Sequence, residues 1–229
     1  MARHSSRRVP QRLIIMVKEP RMGAVKTRLA REVGAVAALR FYRSVTVNLI
    51  RRLAFDPRWE TVLAVAPDST VRNGCWPAGT RHVPQGDGDL GARMERLLLA
   101  SGACRSVLIG SDIPSVRAVH IAGAFRVLAG RDAVFGPAED GGFWLVGLKR
   151  LPRIAGLFDG VRWSSFHALA DTLGNIAPRE AGCAATLSDV DNLRDYEMAG
   201  SMGACVTLPS RRGGEGFTLL RENPARSAT

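Results

Sequence analysis

The chain has 229 residues, 46% hydrophobic and 23% charged, a composition that suits one globular domain and excludes disordered, collagen-like and coiled-coil chains. The net charge is +11, and more than half of the excess lies on the two ends, so we interpret it as basic tails and expect no specific binding of nucleic acid. The apolar runs are too short for a membrane span or a secretory signal, and the four separated Cys indicate free thiols in a reducing cytoplasm.

Strand and helix patterns alternate along the chain. Apolar runs predict strands over 13–17, 60–66, 80–84, 106–109, 132–136 and 143–148. Helical periodicity predicts helices over 25–53 (interrupted near Gly34), 89–100, 117–129, 151–158, 165–174 and from 191 to about 199. This alternation predicts an α/β fold with a mostly parallel sheet, formed by a single domain over 13–200. We expect residues 1–12 to be a flexible basic segment and residues 201–229 a frayed tail.

A loop rich in cations follows the first predicted strand. It carries Lys18, Lys26 and Arg28, and two of the three Lys in the whole chain lie here. Ammonium groups and backbone N–H groups at a strand-to-helix turn suit a diphosphate. Neither a P-loop nor the dinucleotide glycine motif is present. A solvated basic loop is the alternative interpretation.

Carboxylates follow two other predicted segments. Asp112 follows the carboxyl end of the strand over 106–109, where ligands bind in parallel sheets, and one such carboxylate beside phosphates suits Mg²⁺. The alternative is that it caps a helix. Asp189 and Asp191 lie on one face of an extended segment and are candidates to complete the metal site, or Asp191 caps the last helix.

Two glycine-rich segments complete the candidate site. In the first, Asp140 is placed to bind or deprotonate a hydroxyl group, and the alternative is an Asp-Gly hairpin turn. In the second, the Gln85 amide is suited to read a base edge, and the alternative is an ordinary loop with an N-cap at Asp89. Trp163 belongs either to an acceptor-side loop or to the core.

The order of these motifs resembles one family over roughly residues 13 to 199. The sequence carries Lys-x-Pro-x-x-Gly-x-x-Lys-Thr-Arg-Leu, Gly-Asp-Leu-Gly-x-Arg-Met, Gly-Ser-Asp-x-Pro, Gly-Pro-x-x-Asp-Gly-Gly, Leu-Phe-x-Gly-x-x-Trp-Ser and Asp-Val-Asp. This series resembles the selenodomain-associated transferase 1 family, a cofC-like group of GT-A nucleotide-diphospho-sugar transferases. Phe143 replaces the family's frequent Tyr, and Asn192-Leu193 replaces its usual Thr-Pro.

The resemblance implies a GT-A fold and a Mg²⁺- or Mn²⁺-dependent transferase. Its donor is a nucleotide-sugar, with glycosyl transfer favoured, or a nucleoside triphosphate, with nucleotidyl transfer to a phosphorylated small-molecule acceptor as in 2-phospholactate guanylyltransferases. A non-catalytic protein that binds nucleotides or nucleic acid is a further alternative. The resemblance assigns nucleotide and phosphate contacts to Lys18, Gly23, Lys26, Thr27, Arg28, Gln85 and Gly91. It assigns catalysis to Lys26 and Asp140, the acceptor to Asp140, Gly141, Gly142 and Trp163, and the metal to Asp112 and Asp191.

Overall fold

The computed structural model describes residues 10–103, 105–176 and 180–187. The strands in this part of the chain are β1 Gln11–Lys18, β2 Glu60–Ala66, β3 Arg81–Pro84, β4 Arg105–Ile109, β5 Ala133–Pro137, β6 Phe143–Lys149 and β7 Ala181–Cys183. The helices are α1 Thr27–Val33, α2 Ala35–Leu53, α3 Leu90–Leu99, α4 Ala118–Gly130 and α5 Ala168–Ile176. None of these helices is long and apolar enough to cross a membrane.

The described strands form one seven-stranded sheet in the order β3-β2-β1-β4-β6-β5-β7. Strand β1 pairs in parallel with β2 and β4, whereas β6 pairs antiparallel with β4 and β5. The predicted α/β fold with a mostly parallel sheet is therefore confirmed. The chain leaves β1 toward β2 and β3 on one side and returns to β4 on the other, so the topological switch point lies between β1 and β4. Ligands bind at this point in sheets of this kind.

Helices cover both faces of the sheet, which explains the continuous apolar run of β1. Leu13 and Ile15 of β1 belong to a core cluster that includes Leu49 of α2 and Ile121 of α4. The residue between them, Ile14, belongs to the cluster on the opposite face, with side chains from α3 and α5. Burial on alternating faces thus fixes the register of β1 and the position of the loop that follows it.

Of three predicted boundaries, one is confirmed and two need correction. The predicted break near Gly34 is confirmed, since this residue has φ 87 and separates α1 from α2. The predicted helix over 151–158 is wrong. The segment forms turns, with Gly156 at φ 70 and its N–H donated to Glu95 Oε1 at 2.7 Å. Strand β1 begins at Gln11, so Arg12 belongs to the sheet and forms a 2.7 Å ion pair with Glu60.

Several predictions concern residues outside the described ranges. They are the basic segment before residue 10, the frayed tail over 201–229 and the last helix, which includes the candidate metal ligand Asp191.

Candidate functional site

Three adjoining cavities form one groove at the carboxyl edge of the sheet. An outer chamber of about 790 Å³ and a central chamber of about 300 Å³ share Lys18 and Arg93 in their walls. An aromatic chamber of about 180 Å³ shares Leu90 and Asp112 with the central one. The central chamber lies over the switch point between β1 and β4, so the groove occupies the place where this fold binds ligands.

An ion pair crosses the switch point in the central chamber. Lys26 Nζ lies 2.7 Å from Asp112 Oδ2, and the Lys26 side chain is only 6% exposed. Lys26 is the N-cap of α1 in the left-handed region, and Asp112 lies just after β4. The parallel pairing of β1 with β4 brings these two loops together. The alternative that Asp112 caps a helix is wrong, because α4 begins at Ala118 after an Arg117 cap.

A buried tyrosine joins the ends of the same two strands. The Tyr42 hydroxyl accepts the backbone N–H of Lys18 at 2.8 Å and donates to the Lys18 carbonyl at 3.1 Å. It is also hydrogen-bonded to Ser111 Oγ at 3.3 Å, and Thr46 Oγ1 donates to the Ser111 carbonyl at 3.3 Å. Burial raises the pKa of Tyr42, so the phenol stays protonated. The sequence gives no signal for this role, since Tyr42 has the periodicity of an ordinary inner helix position.

Arginines of α3 hold the loop after β3. Gln85 is 2% exposed, and its Nε2 donates to the carbonyls of Val17 and Ala64 at 3.1 and 2.9 Å. Arg93 Nη1 donates to Gln85 Oε1 at 3.0 Å, and Arg96 donates to the Gln85 and Asp87 carbonyls. Gln85 therefore closes the floor of the central chamber. Arg93, which sequence reasoning missed, lines both the outer and the central chamber.

The alternative of an N-cap at Asp89 is confirmed, because Asp89 Oδ1 accepts the Ala92 N–H.

Four residues expected to contact the nucleotide lie in different places. Gly23 lines the outer chamber in a turn with φ 77. Thr27 and Arg28 are exposed in the first turn of α1, outside the walls of the three chambers. Gly91 is buried, and a Cβ there would lie 2.7 Å from Phe158 Cβ and 3.0 Å from Trp163. Gly91 thus permits the close packing of α3 against the aromatic chamber.

A hairpin turn carries Asp140 to the aromatic chamber. Residues 138–142 join the antiparallel strands β5 and β6, so the alternative of an Asp-Gly hairpin is confirmed. Asp140 Oδ1 accepts the Gly142 N–H at 2.9 Å, which orients the carboxylate. Gly141 has φ 81, and a Cβ there would collide with the Phe166 backbone. The hairpin turn is therefore the element that brings Asp140 and Gly142 into the wall of the aromatic chamber.

Aromatic rings form the wall opposite this turn. Phe143 and Trp163 lie edge to face with centroids 6.2 Å apart, and Phe158 packs against both. Trp163 therefore both packs in the core cluster and lines the chamber. Arg162 holds this segment by two bonds to Asp171, at 2.9 and 2.8 Å. These bonds lower the pKa of Asp171 to about 2.

The described residues contain no group of three or more His, Cys, Asp or Glu that could hold a metal ion by itself. Mg²⁺ bound with a nucleotide uses only one or two carboxylates, with phosphate oxygens and waters as its other ligands. Asp112, one-third exposed between the central and aromatic chambers, has the chemistry that this kind of site requires.

Comparison with known proteins places this architecture among transferases. A family model described as "Uncharacterized protein conserved in bacteria (DUF2064)" matches residues 49–165. The crystal structure of a "putative nucleotide-diphospho-sugar transferase" from Desulfovibrio desulfuricans G20 is 28% identical, with a TM-score of 0.75, and the match covers 82% of this chain and 85% of that one. No curated protein matches the sequence.

Two more distant structures share the fold. A Rv0371c homologue from Mycobacterium sp. strain JC1 has 17% identity and a TM-score of 0.52, with 85% of this chain and 97% of that chain covered. The 4-diphosphocytidyl-2C-methyl-D-erythritol synthase of Anaerococcus prevotii DSM 20548 has 10% identity and a TM-score of 0.54, with 84% and 97% covered. The predicted nucleotide-diphospho-sugar transferase-like fold is confirmed.

Proposed function

This chain belongs to the bacterial DUF2064 family, and from that premise and the geometry of the groove we propose that it is a transferase with a nucleotide-activated donor. The observation that carries the proposal is the Lys26–Asp112 pair at the switch point, with Lys18 and Arg93 in the walls of the same chamber. Three cations around one carboxylate suit the diphosphate of a nucleotide and its metal ion. The name of the 28% identical structure supports the same class.

The three chambers divide the substrates between them in this proposal. The nucleoside lies in the outer chamber, where Asp68 and Asp87 are suited to accept hydrogen bonds from ribose hydroxyls. The diphosphate lies in the central chamber on Lys18, Lys26 and Arg93. Arg28, exposed in the first turn of α1, is a further phosphate contact by resemblance. The acceptor lies in the aromatic chamber, beside Asp140.

A divalent metal would complete the site. Asp112 would hold Mg²⁺ or Mn²⁺, with Asp191 as a second ligand by resemblance. When bound, the ion neutralises the negative charge that builds up on the leaving diphosphate. The Lys26 ammonium contributes to the same neutralisation from within the protein and, through its ion pair, orients the Asp112 carboxylate.

Glycosyl transfer is the favoured reaction. The acceptor oxygen forms a new bond to the anomeric carbon, while the bond between that carbon and the diphosphate oxygen breaks. The electron pair of the broken bond leaves with the nucleoside diphosphate. The proton of the acceptor hydroxyl passes to Asp140, whose carboxylate is held by the Gly142 N–H, and then to water. Holding both substrates in one groove supplies the orientation that the reaction needs.

The test is a thermal-shift panel of nucleotide-sugars and nucleoside triphosphates, with and without Mg²⁺. A ligand of the folded state raises Tm in proportion to the logarithm of its concentration above Kd. We expect a Mg²⁺-dependent shift with one nucleotide-sugar, and release of a nucleoside diphosphate on turnover. A shift with a triphosphate alone, with release of pyrophosphate, would instead establish nucleotidyl transfer.

A matched pair of variants separates the site from general charge effects. Lys26→Ala should abolish the nucleotide shift. Lys149→Ala should keep it, because Lys149 also lies beside an aspartate, Asp132 at 3.9 Å, but at the opposite edge of the sheet. An unshifted Tm with every nucleotide would refute the proposal.

A further inference from the structure

The two inner chambers of the groove have opposite charge. Three cations and one carboxylate line the central chamber. Among the described residues, those that line the aromatic chamber include two carboxylates, Asp112 and Asp140, and no Lys, Arg or His. Because the two chambers share Asp112, this contrast arises within one continuous groove.

Neighbouring cations are held away from the aromatic chamber. Lys26 is paired with Asp112 at 2.7 Å on the central side. Arg162, which precedes Trp163 in the chain, is exposed and donates to Asp171 through Nε and Nη2, at 2.9 and 2.8 Å. The Asp140 carboxylate is oriented by a backbone N–H and not by a cation. A phosphate or carboxylate group in this chamber would therefore lie near the Asp140 carboxylate, and the described residues of the wall offer it no Lys, Arg or His.

Apart from Ser164 and Ser165, the side chains of the remaining wall are apolar. Rings of Phe143, Trp144 and Trp163 and the side chains of Leu90, Met94 and Ile113 surround the space beside Asp140. Aromatic rings with a carboxylate at one edge suit a molecule that offers an apolar face to the rings and a hydroxyl group to the carboxylate.

We propose that the acceptor is a hydroxyl compound without negative charge, such as a polyol or glycoside, whose apolar face lies against Trp163 and Phe143. This inference rests on the proposed function and makes it more specific. Nucleotidyl transfer to a phosphorylated acceptor would require an anion to enter the acidic chamber, so the charge pattern favours glycosyl transfer. In that reaction the acceptor hydroxyl loses its proton to Asp140, and the leaving nucleoside diphosphate remains in the cationic chamber.

The experiment compares acceptor probes on enzyme that already holds its nucleotide. Thermal shift first identifies the nucleoside diphosphate that binds with Mg²⁺. Saturation-transfer NMR then measures binding of phenyl β-D-glucoside, glucose and glucose 6-phosphate to that complex. We expect the phenyl glucoside to bind most tightly, and glucose 6-phosphate to bind about tenfold more weakly than glucose, because Asp140 repels the phosphate and the described wall offers it no cation.

A charge inserted into the chamber gives the decisive control. Ala138 lies at the start of the hairpin turn and lines the chamber, and Ala138→Lys should improve binding of glucose 6-phosphate by about tenfold. Ala129→Lys places the same charge at an exposed position of α4 and should leave the binding of glucose 6-phosphate unchanged. Nucleotide Tm shifts of both variants verify that they are folded.

Two sets of results keep the proposals apart. Absence of nucleotide binding would refute the proposed function itself. Normal nucleotide binding with equal or tighter binding of glucose 6-phosphate than of glucose, or with no binding of phenyl glucoside, would overturn the inference about the acceptor and leave the donor assignment intact.

Discussion

The central and aromatic chambers lie side by side on one sheet edge, yet the chain builds them in different ways. The central chamber lies at the switch point between the parallel strands β1 and β4, and its polar groups come from separate loops joined by the Lys26–Asp112 pair and by Tyr42. The aromatic chamber is formed by one hairpin turn and the segment around Trp163, and α3 and the loop after β4 complete its wall. The two chambers differ in charge for the same reason, because the loop after β1 carries lysines and the turn after β5 carries carboxylates. Variants should therefore damage the two chambers separately.

The largest effect is expected from Asp112→Ala. The substitution removes the one carboxylate among the described residues that line the central chamber, and it takes this partner from the nearly buried Lys26 ammonium. Nucleotide affinity in the presence of Mg²⁺ should fall by about 100-fold or more, because the ion loses the carboxylate that holds it to the protein. Isothermal titration with and without Mg²⁺ measures this change. Asp132→Ala, which removes the partner of Lys149, is the control. An unchanged Mg²⁺-dependent affinity would show that Asp112 does not hold the metal.

Gly141→Ala should damage the aromatic chamber alone. The new Cβ would collide with the Phe166 backbone, at a residue with φ 81. We expect a loss of about 2–4 kcal/mol in the free energy of unfolding, with the nucleotide affinity of the folded protein retained.

Chemical denaturation and nucleotide titration measure the two quantities. Gly123→Ala in α4, where a Cβ meets no atom within 4 Å, should instead be neutral or stabilising by up to about 1 kcal/mol. If Gly141→Ala weakened nucleotide and acceptor binding equally, the two chambers would not be independent.

Tyr42→Phe tests the hydrogen bonds by which the Tyr42 hydroxyl joins the ends of β1 and β4. Loss of the hydroxyl leaves the Lys18 N–H without its acceptor and frees Ser111 Oγ, at a cost of about 1–3 kcal/mol. We expect nucleotide binding to weaken several-fold, because Lys18 and Asp112 lose their fixed separation. Acceptor-probe binding to the nucleotide complex should change less. Paired titrations of nucleotide and acceptor probe check this order, and the reverse order would contradict it.

The smallest effect concerns acid pH. The bonds from Arg162 hold the pKa of Asp171 at about 2, below its ordinary 3.8. A lowered folded-state pKa means that this contribution to stability is present above pH 3.8 and is lost as the pH falls toward 2. The pair is solvent-exposed, so Asp171→Asn should change Tm little.

The same variant should loosen the Trp163 segment and weaken acceptor-probe binding while nucleotide binding stays constant. NMR titration of the Asp171 carboxyl checks the pKa. A midpoint near 3.8 in the folded protein would show that the Arg162 contact is absent in solution.

Hydrophobic patterning predicted most of the architecture because burial on both sheet faces leaves long apolar runs at 13–17, 60–66 and 143–148. It failed at 151–158, where apolar spacing resembles a helix but Gly156 and its bond to Glu95 hold a turn. A tertiary contact decided that segment, and no local pattern records it.

The sequence by itself determined which chemistry lies at the ends of the strands. Lys18, Lys26, Asp112 and Asp140 follow apolar strands, and the carboxyl ends of parallel strands meet at one edge. Only the tertiary structure decided how these groups are combined. The pairing of Lys26 with Asp112, the use of Tyr42 as a joint and the enclosure of Gln85 all depend on strand order. Strand order results from long-range packing and leaves no signal in residue spacing. The separation of charge between the two chambers follows from it.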